Sequence, residues 1–178
     1  DTSNINAETV DHTTGILIGE AAAEQLTEFQ NVRCPYCKKW FQQSFDELQE
    51  AVKAGKVQRV IKLFDKDKES LQRGNVMHRF ITKNDGVKAL KELAKIYETQ
   101  NQWGALSLEE VATFAKEQLG LTEQSDAATT EHVIHEAQAA SIQFVPTLLL
   151  DDHIFDESIT TEMLASYFNR KRKMKRYL

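Results

Sequence analysis

The stretch Cys34-Pro35-Tyr36-Cys37 holds the two cysteines of the chain, and it lies where two apolar patterns meet. Before it, Gln25-Leu26-Thr27-Glu28-Phe29 reads as a short buried strand. After it, Phe41, Phe45, Leu48 and Val52 fall at helical steps of three and four along one face, and Gly55 supplies a helix stop. Pro35 suits a first helical position, where no N–H is needed. The thiols therefore sit at a strand-to-helix junction. The unpaired N–H groups and partial positive charge of the helix N-terminus favour thiolate at Cys34. In such motifs the thiol pKa falls from about 8.5 to roughly 3.5–7.5. Cys37 precedes Phe41 by one turn and joins the buried stripe. The expected geometry is an exposed nucleophile, Cys34, with a shielded partner, Cys37, that resolves a mixed disulfide.

Composition narrows the class. The chain has 178 residues, 41% of them hydrophobic, with nine Phe and only two Pro, which suits one domain or one domain with a large insertion. A net charge of −5 argues against nucleic acid as the main partner. No apolar run reaches the roughly 18 residues of a membrane span. Two cysteines cannot form a disulfide framework, so their spacing reads as redox or metal chemistry. A structural zinc site needs four ligands. His132 and His135 could in principle complete one, but they read better as solvated helix residues, so no metal is expected. The opening Asp1-Thr2-Ser3-Asn4 has neither the basic start nor the apolar core of an export signal. The expected compartment is the cytoplasm, or an extracytoplasmic one if a signal preceded this numbering.

Taken in order, residues 1–14 read as a polar arm, loosely packed. Residues 15–64 contain the apolar run Gly15 to Ile18, the strand at 25–29, the helix to about Ala54 and a strand from Val57 to Phe64. Strand, crossover helix and strand form a βαβ unit with a parallel pair. Residues 65–142 read as a helical insertion: a helix from Leu71 to Ile81, a stripe of Val87, Leu90, Ala94 and Tyr97, a helix opened by the capping box Ser107-Leu108-Glu109-Glu110, and a last one from Ser125 to Ser141. β character returns over residues 143–169, as Phe144 to Leu150, an Asp151-Asp152 turn and His153 to Phe155, before a helix carrying Ile159, Met163, Leu164, Tyr167 and Phe168. The basic run from Arg170 to Arg176, within 170–178, reads as a solvated tail.

This order is α/β, and it resembles the thioredoxin fold with a helical insertion between the βαβ half and the C-terminal β-hairpin–helix half, as in the DsbA-like thiol–disulfide oxidoreductases. Glu28-Phe29, Cys34-Pro35-Tyr36-Cys37 and Val145-Pro146-Thr147 carry the resemblance, at the family's spacing. It implies a cis Val145–Pro146 bond with Pro146 beside the nucleophilic sulfur, and a Val145 backbone that pairs with a substrate strand. It also implies that Glu28 is the buried acid exchanging the Cys37 proton, while Pro35 and Tyr36 tune the site. Members with histidine between the cysteines are the most oxidising. Tyr36 stands there in this chain, so Cys34 should be less acidic than in them, with Arg33 able to restore some positive field. Cys-Pro-Tyr-Cys is also the glutaredoxin motif, but glutaredoxins are much shorter and lack the helical block.

The expected function is thiol–disulfide exchange with protein substrates by a monomer that needs no cofactor, its partners being protein thiols or disulfides and a redox-recycling protein. The alternatives are an intracellular thioredoxin- or glutaredoxin-like reductase and a non-catalytic interaction module. Of Trp40 and Phe41, one is expected in the core, and the other could line a substrate groove. Lys62 could face the acid under the site, but the phase of its strand is ambiguous.

Overall fold

The computed structural model describes residues 2–176. The elements run β1 (Ile16–Ile18), β2 (Glu24–Gln30), α1 (Pro35–Lys53), β3 (Val57–Leu63), α2 (Gln72–His78), α3 (Gly86–Glu98), α4 (Gln100–Trp103), α5 (Leu108–Glu117), α6 (Ala127–Ala139), β4 (Thr147–Leu150), β5 (His153–Phe155) and α7 (Thr161–Arg176). The strands form one sheet in the order β1-β3-β2-β4-β5. β2 and β3 are parallel, in the register Glu28 opposite Ile61, and the other pairs are antiparallel. This is the thioredoxin fold with a helical insertion. The backbone of α7 continues to Arg176, but the side chains of the basic run from Arg170 lie outside the described residues.

Alternation along the central strands divides the core. On one face Leu26 and Val57 meet Trp40, Leu48 and Ala51 of α1 and Leu164 and Phe168 of α7. Ile61 and Leu63 continue that face toward Phe41, Leu93, Tyr97 and Trp103. On the other face Phe29 and Phe64 pack on Val133, Ala137 and Ala140 of α6. The α1 stop is a Schellman motif: Lys56 N–H reaches Ala51 C=O at 2.9 Å and Gly55 N–H reaches Val52 C=O at 3.0 Å, with Gly55 at φ +72°.

Three expectations need correction. In α3 Val87 is 70% exposed, and the buried face is Ala89, Leu90, Leu93, Ile96 and Tyr97; Val87 points away from that face, while Gly86 before it meets the Leu17 carbonyl of β1. The second helix ends at His78 instead of Ile81, because Arg79, Phe80 and Ile81 donate to carbonyls three residues back and tighten the chain. The N-terminal arm is not loose. Val10 is buried against α6, and Asp11 pairs at 2.7 Å with the fully buried Lys62, which also holds Glu136. A buried ammonium needs such partners, and the arm supplies one.

Candidate active site

The redox turn sits where β2 feeds α1. Cys34 is the N-cap of α1 and Pro35 its first residue. Its N–H donates to Asn31 C=O at 3.0 Å and its C=O accepts from Lys38 at 3.1 Å. Cys37 is fully buried, and its Sγ accepts from the Asn31 N–H at 3.5 Å. Tyr36 is 58% exposed between them. The Cys37 S–H donates toward Cys34; with the N–H groups of Cys37 and Tyr36 it outweighs burial and the charge of Glu157, bringing the Cys34 thiol from 9.0 down to about 6. Burial pushes the Cys37 thiol up, and the neighbouring Cys34 adds to this. One cysteine is made acidic and the other is not.

Cys34 is less open than expected: only 6% of its surface is exposed. Access comes from the side, where it helps line a cavity of about 870 Å3 with Tyr36, Phe64, Lys66, Phe144 and Val145. The far wall is the loop before β4. There the Val145–Pro146 peptide bond is cis, and the Cys34 S–H points to Val145 C=O at 3.6 Å. The strand begins at Thr147 instead of Phe144, since Pro146 has no N–H for the ladder.

Beneath α1 lies a buried polar group. The Glu28 carboxylate accepts two bonds from Arg59, at 2.7 and 2.8 Å, one from Trp40 Nε1 at 2.8 Å and one from Gln30 at 3.1 Å. Gln30 in turn accepts from the Tyr97 hydroxyl at 2.6 Å. Trp40 and Phe41 are both buried, so neither lines the groove: Trp40 is held by Glu28, and Phe41 packs on Tyr97. The cation facing Glu28 is Arg59, which sequence reasoning passed over. Lys62, an odd step along β3, points through the opposite face. Counting in twos from Ile61 would have found Arg59.

The insertion reaches back to the turn. Arg33 donates through Nε to Gly104 C=O at 2.8 Å, at the end of α4, and also lines the cavity beside Cys34. Asn75 accepts from Asn31 at 3.1 Å. His78 Nε2 lies 3.2 Å from the Val32 N–H, and Gln100 donates to the carbonyls of Val32 and Cys34 at 2.7 and 3.3 Å. None of these was singled out from the sequence as a site residue apart from Arg33. Among the described residues the group with metal-ligand spacing is Asp11, His132 and Glu136, and it contains neither cysteine. His132 bonds Asp11 at 2.7 Å instead of standing free, while His135 is mostly solvated.

Comparison with known proteins agrees with this architecture. A conserved protein of unknown function from Enterococcus faecalis V583 is similar over 95% of this chain and 97% of its own, with 55% identity and a TM-score of 0.93. BdbD from Bacillus subtilis, in its oxidised form, shares the fold at 14% identity, covering 96% of each chain with a TM-score of 0.65. A putative protein-disulfide isomerase from Pseudomonas syringae does so at 15% identity, covering 89% of this chain and 99% of its own, with a TM-score of 0.69. No curated protein matches the sequence. The thioredoxin family model matches residues 11–170, and the chain belongs to the thioredoxin family.

Proposed function

We propose that the protein is a DsbA-like thiol–disulfide oxidoreductase acting as a monomer on protein substrates, and that it runs as a disulfide donor. The observation that carries this is the asymmetry of the two thiols at the N-terminus of α1. Cys34, brought down to about 6, lies closer to the roughly 7 of thioredoxin than to the roughly 3.5 of DsbA, so its acidity supports a donor weaker than the most oxidising members. A stabilised thiolate favours the reduced form and so makes the disulfide the better oxidant.

In the donor direction a substrate thiolate attacks Cys34 Sγ. The Cys34–Cys37 bond breaks, a substrate–Cys34 bond forms, and Cys37 leaves as thiolate and takes a proton. A second substrate thiolate then attacks the substrate sulfur of the mixed disulfide and expels the Cys34 thiolate, stabilised by its neighbours. The substrate leaves oxidised and the protein reduced by two electrons, which a recycling partner removes. We assign the Cys37 proton to Glu28, the buried carboxylate under the helix that carries Cys37: the carboxylate takes that proton when the pair is reoxidised and, once protonated, returns it to Cys37 when the Cys34–Cys37 bond opens, both steps competing with the Arg59 pair. Val145 offers backbone groups to a substrate strand and Pro146 keeps that loop against the sulfur. Tyr36 and Pro35 shape the rim.

Donation suits an oxidising, extracytoplasmic compartment and reduction the cytoplasm. The deciding experiment is the equilibrium reduction potential against glutathione. A value above about −200 mV agrees with a donor; one near the roughly −270 mV of thioredoxin makes the protein a reductase instead.

A further inference from the structure

Val32, two residues before the nucleophile, has both backbone groups held by the insertion: its N–H by His78 of α2 and its C=O by Gln100 of α4. Both side chains are buried, His78 completely and Gln100 to 1% exposure. The bonds span 46 and 68 residues, so they are tertiary clamps. An amide N–H can only donate, so His78 Nε2 must be the unprotonated nitrogen and Nδ1 must carry the hydrogen. Nδ1 accordingly faces Asp65 Oδ1 at 2.8 Å, and Asp65 is itself steadied by Arg79 at 3.1 Å. Protonating Nε2 would aim two N–H groups at each other. The other charged groups around this ring are Lys83, which donates to His78 C=O, and Asp126, which pairs with Arg79 and Lys83.

We infer that His78 and Gln100 are positioning residues for the redox chemistry: they clamp Val32 so that the Cys34 sulfur stays over the N–H groups that start α1, and the helical insertion thereby sets the acidity of the nucleophile. Burial pushes the His78 imidazole below its ordinary value despite the pull of Asp65, the same direction as the hydrogen bonds, which call for the neutral acceptor form. Gln100 adds a second tie, bridging Val32 and Cys34 on the carbonyl side. The inference deepens the reading of the protein as an oxidoreductase and rests on it.

The test compares His78→Leu, which has no acceptor, with His78→Gln, whose side-chain oxygen can take the place of Nε2. The readouts are the Cys34 thiolate titration, followed by far-ultraviolet absorbance, and the reduction potential. In His78→Leu the Cys34 pKa should rise by about one unit and the potential should become more negative; His78→Gln should stay close to the parent. A folded His78→Leu protein with an unchanged Cys34 titration overturns the inference, as does a His78→Gln protein shifted as far as the leucine variant. If His78→Leu does not fold, the imidazole nitrogen shifts of the unmodified protein decide. A neutral ring protonated on Nδ1 at the Cys34 midpoint supports the clamp, and a cationic ring there overturns it. The titration needs no turnover, so an unmodified protein without exchange activity would refute the oxidoreductase reading and leave the clamp separately measured.

Discussion

Arg59 gives the sharpest forecast at the scale of a single residue. Its guanidinium and the Glu28 carboxylate are both buried to 1% or less. Their mutual attraction offsets two desolvation penalties, so removing one partner strands the other. Arg59→Leu should cost roughly 3–5 kcal/mol, read as a lower urea midpoint with little change in slope. At the thiols, Cys34→Ser should abolish exchange with a small disulfide, whereas Cys37→Ser should accumulate a mixed disulfide on Cys34, seen by mass spectrometry. Glu28→Gln should slow release or uptake of the Cys37 proton by about a hundredfold, the lower end of general acid–base effects, seen in the rate of mixed-disulfide resolution. The residues whose chemistry depends on near neighbours were legible in the sequence. Cys34, Cys37 and Pro35 announce a helix N-terminus by themselves. Arg59, His78 and Gln100 could not be read that way, because each acts on a group 31 to 68 residues away.

At the scale of elements, two glycines let the insertion close on the core. A Cβ at Gly74 of α2 would overlap Asn31 Oδ1 and come within 2.9 Å of Arg33 N. Gly74→Ala should therefore push on the redox turn itself, costing about 1–3 kcal/mol of stability by overpacking and raising the Cys34 pKa; Cys34 alkylation rates against pH would report it. Gly86, at the start of α3, lies against the Leu17 carbonyl of β1, so Gly86→Ala should cost stability by the same overpacking and leave the Cys34 titration alone. The comparison separates damage to the site from damage to the fold. Helix α1, the capping box at Ser107 and the parallel pair of β2 and β3 were all legible, because periodicity, caps and a crossover helix are local signals. The face of α3 was misread at Val87 because Val87, Leu90, Ala94 and Tyr97 fit a helical stripe whose phase is turned from the true one, Ala89, Leu90, Leu93, Ile96 and Tyr97. The short helix α4 escaped notice because its four residues carry no period.

For the molecule as a whole, the thiol asymmetry links redox state, stability and pH. The Cys34 pKa is lower in the folded reduced protein, about 6, than the roughly 8.5 of an ordinary unfolded thiol. Between those values the unfolded chain holds a proton that the folded chain has lost, so the stability of the reduced protein should rise with pH. That contribution is complete above the unfolded value and disappears as the pH falls through about 6. The raised Cys37 pKa opposes it only at higher pH, where an unfolded thiol would ionise. The oxidised protein lacks both groups, so the reduced-minus-oxidised difference in Tm should grow as the pH rises from about 6 toward the roughly 8.5 of a free thiol. The most direct test of the central claim is the far-ultraviolet thiolate titration of the reduced protein. One thiol should ionise with a midpoint near 6, and that step should vanish in Cys34→Ser. A reduced protein with no ionisation below the roughly 8.5 of an ordinary cysteine would contradict the account.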